Sequence, residues 1–473
     1  MVNLNQETSL KWCSVNLSDV ISRGKRLEAS VFDVEAKHAR QIIQKGKYPI
    51  TFIGGDSGLT TSYTGARFKR IWLKKSDYPI FQPSSITDIK PVPDGYISRL
   101  TQTNIDKLRV KRGQILMTCS GTIGKLSYVS NTLDKQIFSH DLLRIDCKIP
   151  SDAGYIYTYL KSKIGNKILL TNSYGAVITH IEPEHLATVP IPNAPEEIKA
   201  KINDLIIRSY ELRDESNDLI DEATQLLIKE LRLPPIEEFE KNTFNSINAF
   251  SIKLSEMKNR ADSSYHLPIV KAIINHISGY AEEITTIGDK RISSDVVLPG
   301  RFKRVYVDSE YGCVLFGGKQ VYELDPSSKK YLSKTKHNKR IVEQLAIHTN
   351  SSLITRSGTI GKVALVPKHW ENWVASEHII RIVPRTTEIA GYLNIFLASH
   401  YGHQLISRYT YGSVVDEIDD NQVRQIPIPL LKNKEVQSKI NNLALEANKK
   451  RYKAYCLEQE ALKIMDEEVI YAK

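Results

Sequence analysis

Two stretches of this chain are near copies of each other, and that duplication limits the possible folds more than any other feature. Arg67-Phe68-Lys69-Arg70-Ile71-Trp72-Leu73 returns as Arg301-Phe302-Lys303-Arg304-Val305-Tyr306-Val307, an offset of 234. Ser120-Gly121-Thr122-Ile123-Gly124-Lys125 returns as Ser357-Gly358-Thr359-Ile360-Gly361-Lys362, an offset of 237. The second offset also relates Gly154-Tyr155-Ile156 to Gly391-Tyr392-Leu393, Tyr174-Gly175 to Tyr411-Gly412, and Val189-Pro190-Ile191-Pro192 to Ile426-Pro427-Ile428-Pro429. An offset that drifts by only a few residues from Arg67 to Pro192 excludes chance and requires two copies of one fold. Solenoid repeats have periods of about 20 to 50 residues, so each copy here is a domain with its own core.

Composition supports this reading. The 473 residues are 41% hydrophobic and 25% charged, enough apolar material for two cores. The opening residues 1–8 lack the basic and apolar regions of a signal peptide, and no stretch approaches the roughly 18 apolar residues of a membrane span, so a cytoplasmic chain with no membrane partner is expected. Cys13, Cys119, Cys147, Cys313 and Cys456 are scattered without a Cys-x-x-Cys pair, so neither a zinc site nor a disulfide framework is expected. The formal charge of +11 and pI near 9.1 point to a polyanionic partner, with a merely solvated basic surface as the alternative.

Each copy is followed by a segment of different texture. From Ile198 the apolar positions step by four and three through Ile202, Leu205, Leu212, Leu219, Ala223 and Leu226, interrupted by Ser209 and Ser216. From Val436 the same rhythm runs through Ile440, Leu443, Ala447, Ala454, Leu457, Ala461 and Ile464, interrupted by Lys450. Such steps over about four heptads mark a coiled-coil seam. Pro195 and Glu196-Glu197 open the first helix, Pro429 and Glu435 precede the second, and Pro234-Pro235 stops the first. At 1.5 Å per residue the first helix spans about 50 Å, far beyond the usual run of about 11 residues, and reads as a spacer. The two helices are expected to pair antiparallel about a pseudo-twofold axis, with the seam serving the pair and further subunits. The competing expectation folds each helix onto its own domain.

Within each copy, short β-branched runs alternate with turn residues. Residues 113–118, the glycine loop at Ser120 and residues 125–129 read as strand, tight loop, strand, and 352–356, the Ser357 loop and 362–366 repeat them. Helical patches follow at 155–160 and 392–397. The expected class is α+β, with globular domains at 1–195 and 234–430 and spacer helices at 196–233 and 431–473.

The glycine loop is not a nucleotide-binding P-loop, because two residues rather than four separate its glycines and Leu126 or Val363 follows the lysine. It is either a hairpin turn that needs positive φ or a close approach of backbone to DNA. In the second case Ser120, Thr122, Lys125 and Tyr174, with Arg356, Ser357, Thr359, Lys362 and Tyr411 in the other copy, would line a phosphate rail. Arg67, Lys69 and Arg70, and Arg301, Lys303 and Arg304, concentrate charge where a strand begins, either as a solvated face or as a DNA contact, with Ile71 and Leu73 on one face and Trp72 on the other. The matched turns at 81–86 and 316–321 carry unlike polar residues. Gln82, Ser84 and Ser85 stand against Lys319 and Gln320, as two readers of different bases require and as ordinary loop drift would also produce.

No amino-methyltransferase tetrapeptide, dinucleotide fingerprint or His-Glu-x-x-His site occurs. His140 and His378 are displaced by one position between the copies and have no evident nucleophile, so they are expected to be structural.

The order of domain, long helix, domain, long helix, with each domain closing in Val-Pro-Ile-Pro or Ile-Pro-Ile-Pro, resembles the specificity subunit of type I restriction-modification enzymes. So do Arg356-Ser357-Gly358-Thr359-Ile360-Gly361 and Tyr411-Gly412-Ser413, and the resemblance covers almost the whole chain. It implies two target recognition domains that read a bipartite double-stranded DNA sequence across an unread gap. It also implies modification subunits, two of them, that bind S-adenosylmethionine and methylate adenine, and a restriction subunit that translocates and cleaves. This chain would then hold no catalytic residue, metal or cofactor. Two departures are Cys119, which stands where the second copy has Arg356, and the run 245–279, which has no typical counterpart. A stand-alone nuclease or methyltransferase with unrecognised motifs, and a bivalent protein adaptor, are the alternatives from other classes.

Overall fold

A computed structural model describes residues 14–473 apart from 23–24, 26, 28, 176–178, 244–248, 258–259, 327–328 and 413–414. The opening residues 1–8, Cys13, residues 245–248 of the linking run and Ser413 lie outside the described residues. The chain folds as two compact units: residues 1–211 with 456–473, and residues 212–455. Both are α+β.

In the first unit a four-stranded antiparallel sheet has the order Thr60–Thr64, Leu142–Cys147, Ile115–Thr118, Leu126–Tyr128. A second sheet runs Trp72–Leu73, Gly95–Ile97, Pro79–Phe81, Ile137–Phe138, its last pair parallel. Ile50–Phe52 pairs with Pro190–Pro192. Helices Ala153–Lys161 and Lys163–Leu170 supply core side chains such as Tyr155, Ile156, Leu160 and Ile168.

The second unit has the same plan. Ser293–Val297, Ile379–Pro384, Ser352–Thr355 and Val363–Leu365 form its antiparallel sheet. Lys330–Ser333, Gly312–Phe316 and Val374–Ala375 form the smaller sheet, again with a parallel last pair. Ala281–Thr286 pairs with Pro427–Leu431, so the repeated Pro-Ile-Pro tripeptides occupy equivalent strands.

Equivalent residues make equivalent bonds. Ser162 and Ser399 cap the equivalent helices Lys163–Leu170 and His400–Ser407, accepting from Gly165 N at 3.0 Å and Gly402 N at 3.1 Å. The Tyr155 and Tyr392 hydroxyls donate to the carbonyls of Pro192 and Pro429, both at 2.6 Å. Arg144 and Arg381 are buried without a carboxylate. Arg144 donates to the carbonyls of Leu142, Leu108 and Phe138 at 3.2, 2.9 and 3.1 Å, and Arg381 to those of Ser376, Ile379, Leu345 and Ala375. Each guanidinium fills a multi-carbonyl nest that would otherwise be unsatisfied.

The two long helices are Glu196–Glu230 and Lys434–Ile464, the second continued by a π-helical turn at Met465–Ile470. In the second unit Lys450 pairs with Glu215 at 2.6 Å and Lys439 with Glu222 at 2.8 Å, so numbering rises on one helix as it falls on the other: the pair is antiparallel. In the first unit Lys201 meets Glu468 at 3.3 Å. The helices also pack on the globular parts. Asn203 Oδ1 accepts from Gly154 N at 2.9 Å and Asn441 Oδ1 from Gly391 N at 2.8 Å. Both glycines are required, since a Cβ at Gly154 would lie 2.6 Å from Asn203 Cα and one at Gly391 2.3 Å from Asn441 O. Pairing and packing on a domain, posed above as competitors, therefore coexist.

Along the expected seam Ile202, Leu212, Ile440 and Ile464 are buried, while Ile198, Leu205, Leu219, Leu226, Val436, Leu443 and Leu457 are half-buried. The seam's alanines Ala223, Ala447, Ala454 and Ala461 are fully buried, as are Ser209 and Ser216 that interrupt it; beside the seam Ile206, Leu227 and Glu458 are also fully buried. A helix covered on two sides buries a broader stripe than a two-stranded seam, which puts half of the heptad positions at its edge.

Candidate nucleic-acid interface

The glycine loops are hairpin turns of one geometry. Thr118 Oγ1 donates to Thr122 O at 2.6 Å and accepts from Lys125 N at 3.0 Å; Thr355 Oγ1 donates to Thr359 O at 2.6 Å and accepts from Lys362 N at 3.0 Å. Gly121, Gly124, Gly358 and Gly361 have φ of 70°, 82°, 72° and 82°, values that L side chains resist. Among the described residues nothing comes within 4 Å of where a Cβ would stand on Gly121 or Gly358, and Thr122 and Thr359 are exposed. Ser120, Lys125, Ser357 and Lys362 flank the loops, half-buried. The expected positive-φ hairpin turn is what the loops form.

A second segment zips onto each loop. Tyr174 and His180 exchange backbone hydrogen bonds at 2.9 and 2.7 Å, as Tyr411 and Glu417 do at the same distances. Ile181 N then donates to Cys119 O at 2.9 Å, and Ile418 N to Arg356 O at 3.0 Å. Tyr174 and Tyr411 thus stand beside the loops, Tyr174 bonded to the Glu182 carboxylate and Tyr411 exposed.

In the second unit the basic segment reaches the loop through Arg301 and Glu417, which bridges Ser357; in the first the charges of Arg67 and Arg70 act on His140. Arg67, Lys69, Arg301 and Lys303 are exposed. Arg70 is half-buried, its guanidinium 5.7 Å from the Phe68 ring centroid and 5.8 Å from that of Trp72. Ile71, Leu73 and Trp72 are all exposed, at 44, 46 and 50%, so neither face of this run is covered. The strand is two residues long at a sheet edge, too short to bury a face. In the second unit the equivalent stretch makes only an isolated bridge, Tyr306 to Leu332.

The turns that differ in sequence are the same element twice, a strand end leading into a 3-10 turn at Pro83–Ser85 or Gly318–Gln320. Ser84 and Lys319 are exposed at their tips. Gln82 N donates to Asp94 Oδ2 at 2.8 Å and Ser85 Oγ to Gln82 O at 2.9 Å; Gln320 Oε1 folds back to accept from Gly317 N at 3.2 Å.

The residues that sequence reasoning did not single out are acidic. Arg304 Nη2 meets Glu377 Oε2 at 2.6 Å and its Nη1 the Tyr306 hydroxyl at 3.3 Å. Glu417 takes Arg301 at 3.3 Å on one oxygen and Arg356 on the other. Burial pushes the Glu377 carboxyl up, but the Arg304 hydrogen bond, its own backbone and nearby positive charge outweigh that and hold it below the usual carboxylate range. His378 Nδ1 lies 2.7 Å from Ser357 Oγ. The offset of 237 could have found these acids, since it maps Glu377 onto His140 and Glu417 onto His180. In the first unit His140 lies 3.2 Å from Asp141; burial depresses its imidazole, Asp141 opposes this, and Arg67 and Arg70 add to it.

Contrary to the expectation that His378 has no hydroxyl beside it, Ser357, His378 and Glu377 form a chain of contacts at 2.7 and 3.8 Å, with the Glu377 carboxylate held by Arg304. Burial drives the Cys119 thiol up to about 11, the opposite of an activated nucleophile. Glu182, Glu184 and His185 cluster at metal-ligand spacing, but a helix cap accounts for the group: Glu182 N donates to His185 Nδ1 at 3.2 Å. No described helix is long and apolar enough to cross a membrane. Along the helices of the second unit an open groove of about 690 Å³ is lined by Leu219, Lys439, Asn442 and Leu443 among others.

No family model and no curated protein matches this chain. Among solved structures it is similar to the S subunit of a type I restriction-modification system from M. genitalium, at 14% identity over 90% of this chain and 96% of that one, with a TM-score of 0.32. It is similar to a chain solved to explain complex assembly and conformational transition of the type I R-M system, at 14% identity, 90% and 98% coverage and a TM-score of 0.28. It is also similar to the HsdS subunit from Thermoanaerobacter tengcongensis, at 14% identity, 89% and 99% coverage and a TM-score of 0.26.

Proposed function

We propose that this chain is the DNA-reading subunit of a type I restriction-modification complex or a related defence complex. One observation carries the reading: each unit repeats an exposed basic segment and a glycine loop of the same geometry, while the polar side chains of the matched turns differ. Lysines and arginines would contact phosphate and give salt-dependent affinity, and the unlike turns and arginines would meet base edges in the two half-sites. The two half-sites form a bipartite duplex target whose gap the long helices set. Half-buried Leu219 and Leu443 along the open groove leave apolar surface for a further helix; we assign the helix pair to binding the modification subunits, which bring the chemistry, with a restriction and translocation subunit joining them.

Lengthening each long helix by one turn, about 5.4 Å, should move the half-sites apart by one to two base pairs at about 3.4 Å each. Methylation mapping of the assembled complex reads this directly, and unchanged spacing would refute the spacer role. The purified chain alone should turn over neither DNA with magnesium nor a methyl donor; turnover by the lone chain would favour a stand-alone enzyme.

A further inference from the structure

The two units carry the same pair of arginines in opposite electrostatic settings. Arg301 and Arg304 in the second unit correspond to Arg67 and Arg70 in the first. Each second-unit arginine is held by a carboxylate from another part of that unit: Arg304 by Glu377 at 2.6 Å, and Arg301 by Glu417 at 3.3 Å. Glu417 is itself anchored by Arg356, and Glu377 is 9% exposed, so both acids are fixed supports. In the first unit the same three positions hold His140, His180 and Cys119. The structure supports this register independently, because Ser120 and Tyr174 bridge His180 as Ser357 and Tyr411 bridge Glu417, and Ser139 N donates to Phe81 O as Ser376 N does to Phe316 O. Among the described residues neither Arg67 nor Arg70 makes an ion pair.

On the reading of this chain as a DNA-binding subunit, we infer that Arg301 and Arg304 are guanine-reading residues, positioned by Glu417 and Glu377, whereas Arg67 and Arg70 only neutralise phosphate. A guanidinium has five N–H donors in a planar fork, and guanine alone presents two acceptors, O6 and N7, at matching spacing in the major groove. Arg304 spends one donor on Glu377 and one on Tyr306, and Arg301 one on Glu417, so both keep donors for a base. The carboxylate fixes the fork before DNA arrives, which lowers the ordering cost of a directional contact. It also repels phosphate, steering the guanidinium away from the backbone and toward base edges. Arg67 and Arg70 have no such clamp; they sit near His140, whose own partner is Asp141 at 3.2 Å. A pair of arginines that no carboxylate clamps suits a partner with diffuse negative charge and no directional demand.

The test is selection of bound sequences from a randomised duplex library by the full-length chain, followed by affinity measurements over a salt series. The unaltered chain should enrich a split motif with guanine in one half. Arg304→Lys and Glu377→Gln should each lower the preference for guanine at one position by about 10- to 100-fold while the other half-site stays intact. Arg67→Ala and Arg70→Ala should weaken all sequences alike and each reduce the salt slope by about one. If Glu377→Gln fails to fold, Arg301→Lys and Glu417→Gln pose the same question at a second position. A guanine preference that survives these changes, or a base preference that shifts on Arg67→Ala, overturns the division while leaving the chain a sequence reader. Enrichment of no motif by the unaltered chain overturns both proposals.

Discussion

The His369 ring stacks on that of Tyr455 in the second long helix, centroids 4.0 Å apart and planes 11° from parallel. One ring nitrogen, Nε2, lies 2.8 Å from Leu324 O, and since a carbonyl only accepts, Nε2 carries the proton. Nδ1 is then a bare, buried nitrogen without a hydrogen-bond partner. Charging the ring would place a cation there, so burial pushes the imidazole down to about 4, with Lys329 and Arg213 adding to the fall and the Leu324 carbonyl and Asp325 opposing it. The unfolded chain protonates His369 near 6.5, so it binds the proton first, and stability falls as pH drops from about 6.5 and levels off below about 4. Two and a half pH units at about 1.36 kcal/mol each make the loss about 3 kcal/mol, a large share of a domain's net stability. Urea unfolding between pH 7.5 and 4 reads it through Trp370 and Trp373, whose rings lie 6.0 and 5.9 Å from His369. Other carboxylates also weaken the fold at the acid end, so the diagnostic quantity is the difference from His369→Gln, which keeps a donor and cannot charge. Parallel loss in the two proteins, or a His369 ring titrating near 6.5 by NMR, would refute the argument.

Three further outcomes follow from buried contacts. Glu458 is fully buried, accepting from the Tyr157 hydroxyl at 2.5 Å and from Lys161 at 2.8 Å, so Glu458→Ala should cost about 2 to 3 kcal/mol in chemical denaturation; Lys161, 24% exposed, keeps some access to water and limits the loss. Gly391→Ala should lower the thermal midpoint through about 1 to 3 kcal/mol of overpacking against Asn441 and Ala444, and an unchanged midpoint would mean that the helix seat yields. Ending the chain at residue 455 removes Ile464, Met465, Val469 and Ile470 from the first unit's core. At about 1.5 to 3 kcal/mol per side chain this rivals the stability of a domain, so calorimetry should lose one transition and keep the other.

Much of this architecture was legible as pattern. Duplication announced two equivalent domains, the Gly-x-x-Gly spacing placed the positive-φ hairpins at Gly121 and Gly358, and the four-three rhythm located both long helices to within a few residues. These signals are local, carried by neighbours along the chain whose spacing mirrors the period of a helix or a turn. The exposure of Trp72 was not legible, because a strand of two residues at a sheet edge has no face to bury. Nor was the clamping of Arg304, although the repeat offset held the clue in the exchange of His140 for Glu377.

What the sequence determined by itself is the inventory: two sibling α+β domains, two matched amphipathic helices, a positive net charge and recurrent basic segments. Tertiary structure alone decided which helix faces are buried, that residues 456–473 complete the core of the first unit, and which arginines meet a carboxylate. Tyr157 and Glu458 stand 301 residues apart in the chain yet share a proton-donating bond. No periodicity links such positions, because burial and charge pairing depend on distance in space, and only the folded chain sets that distance.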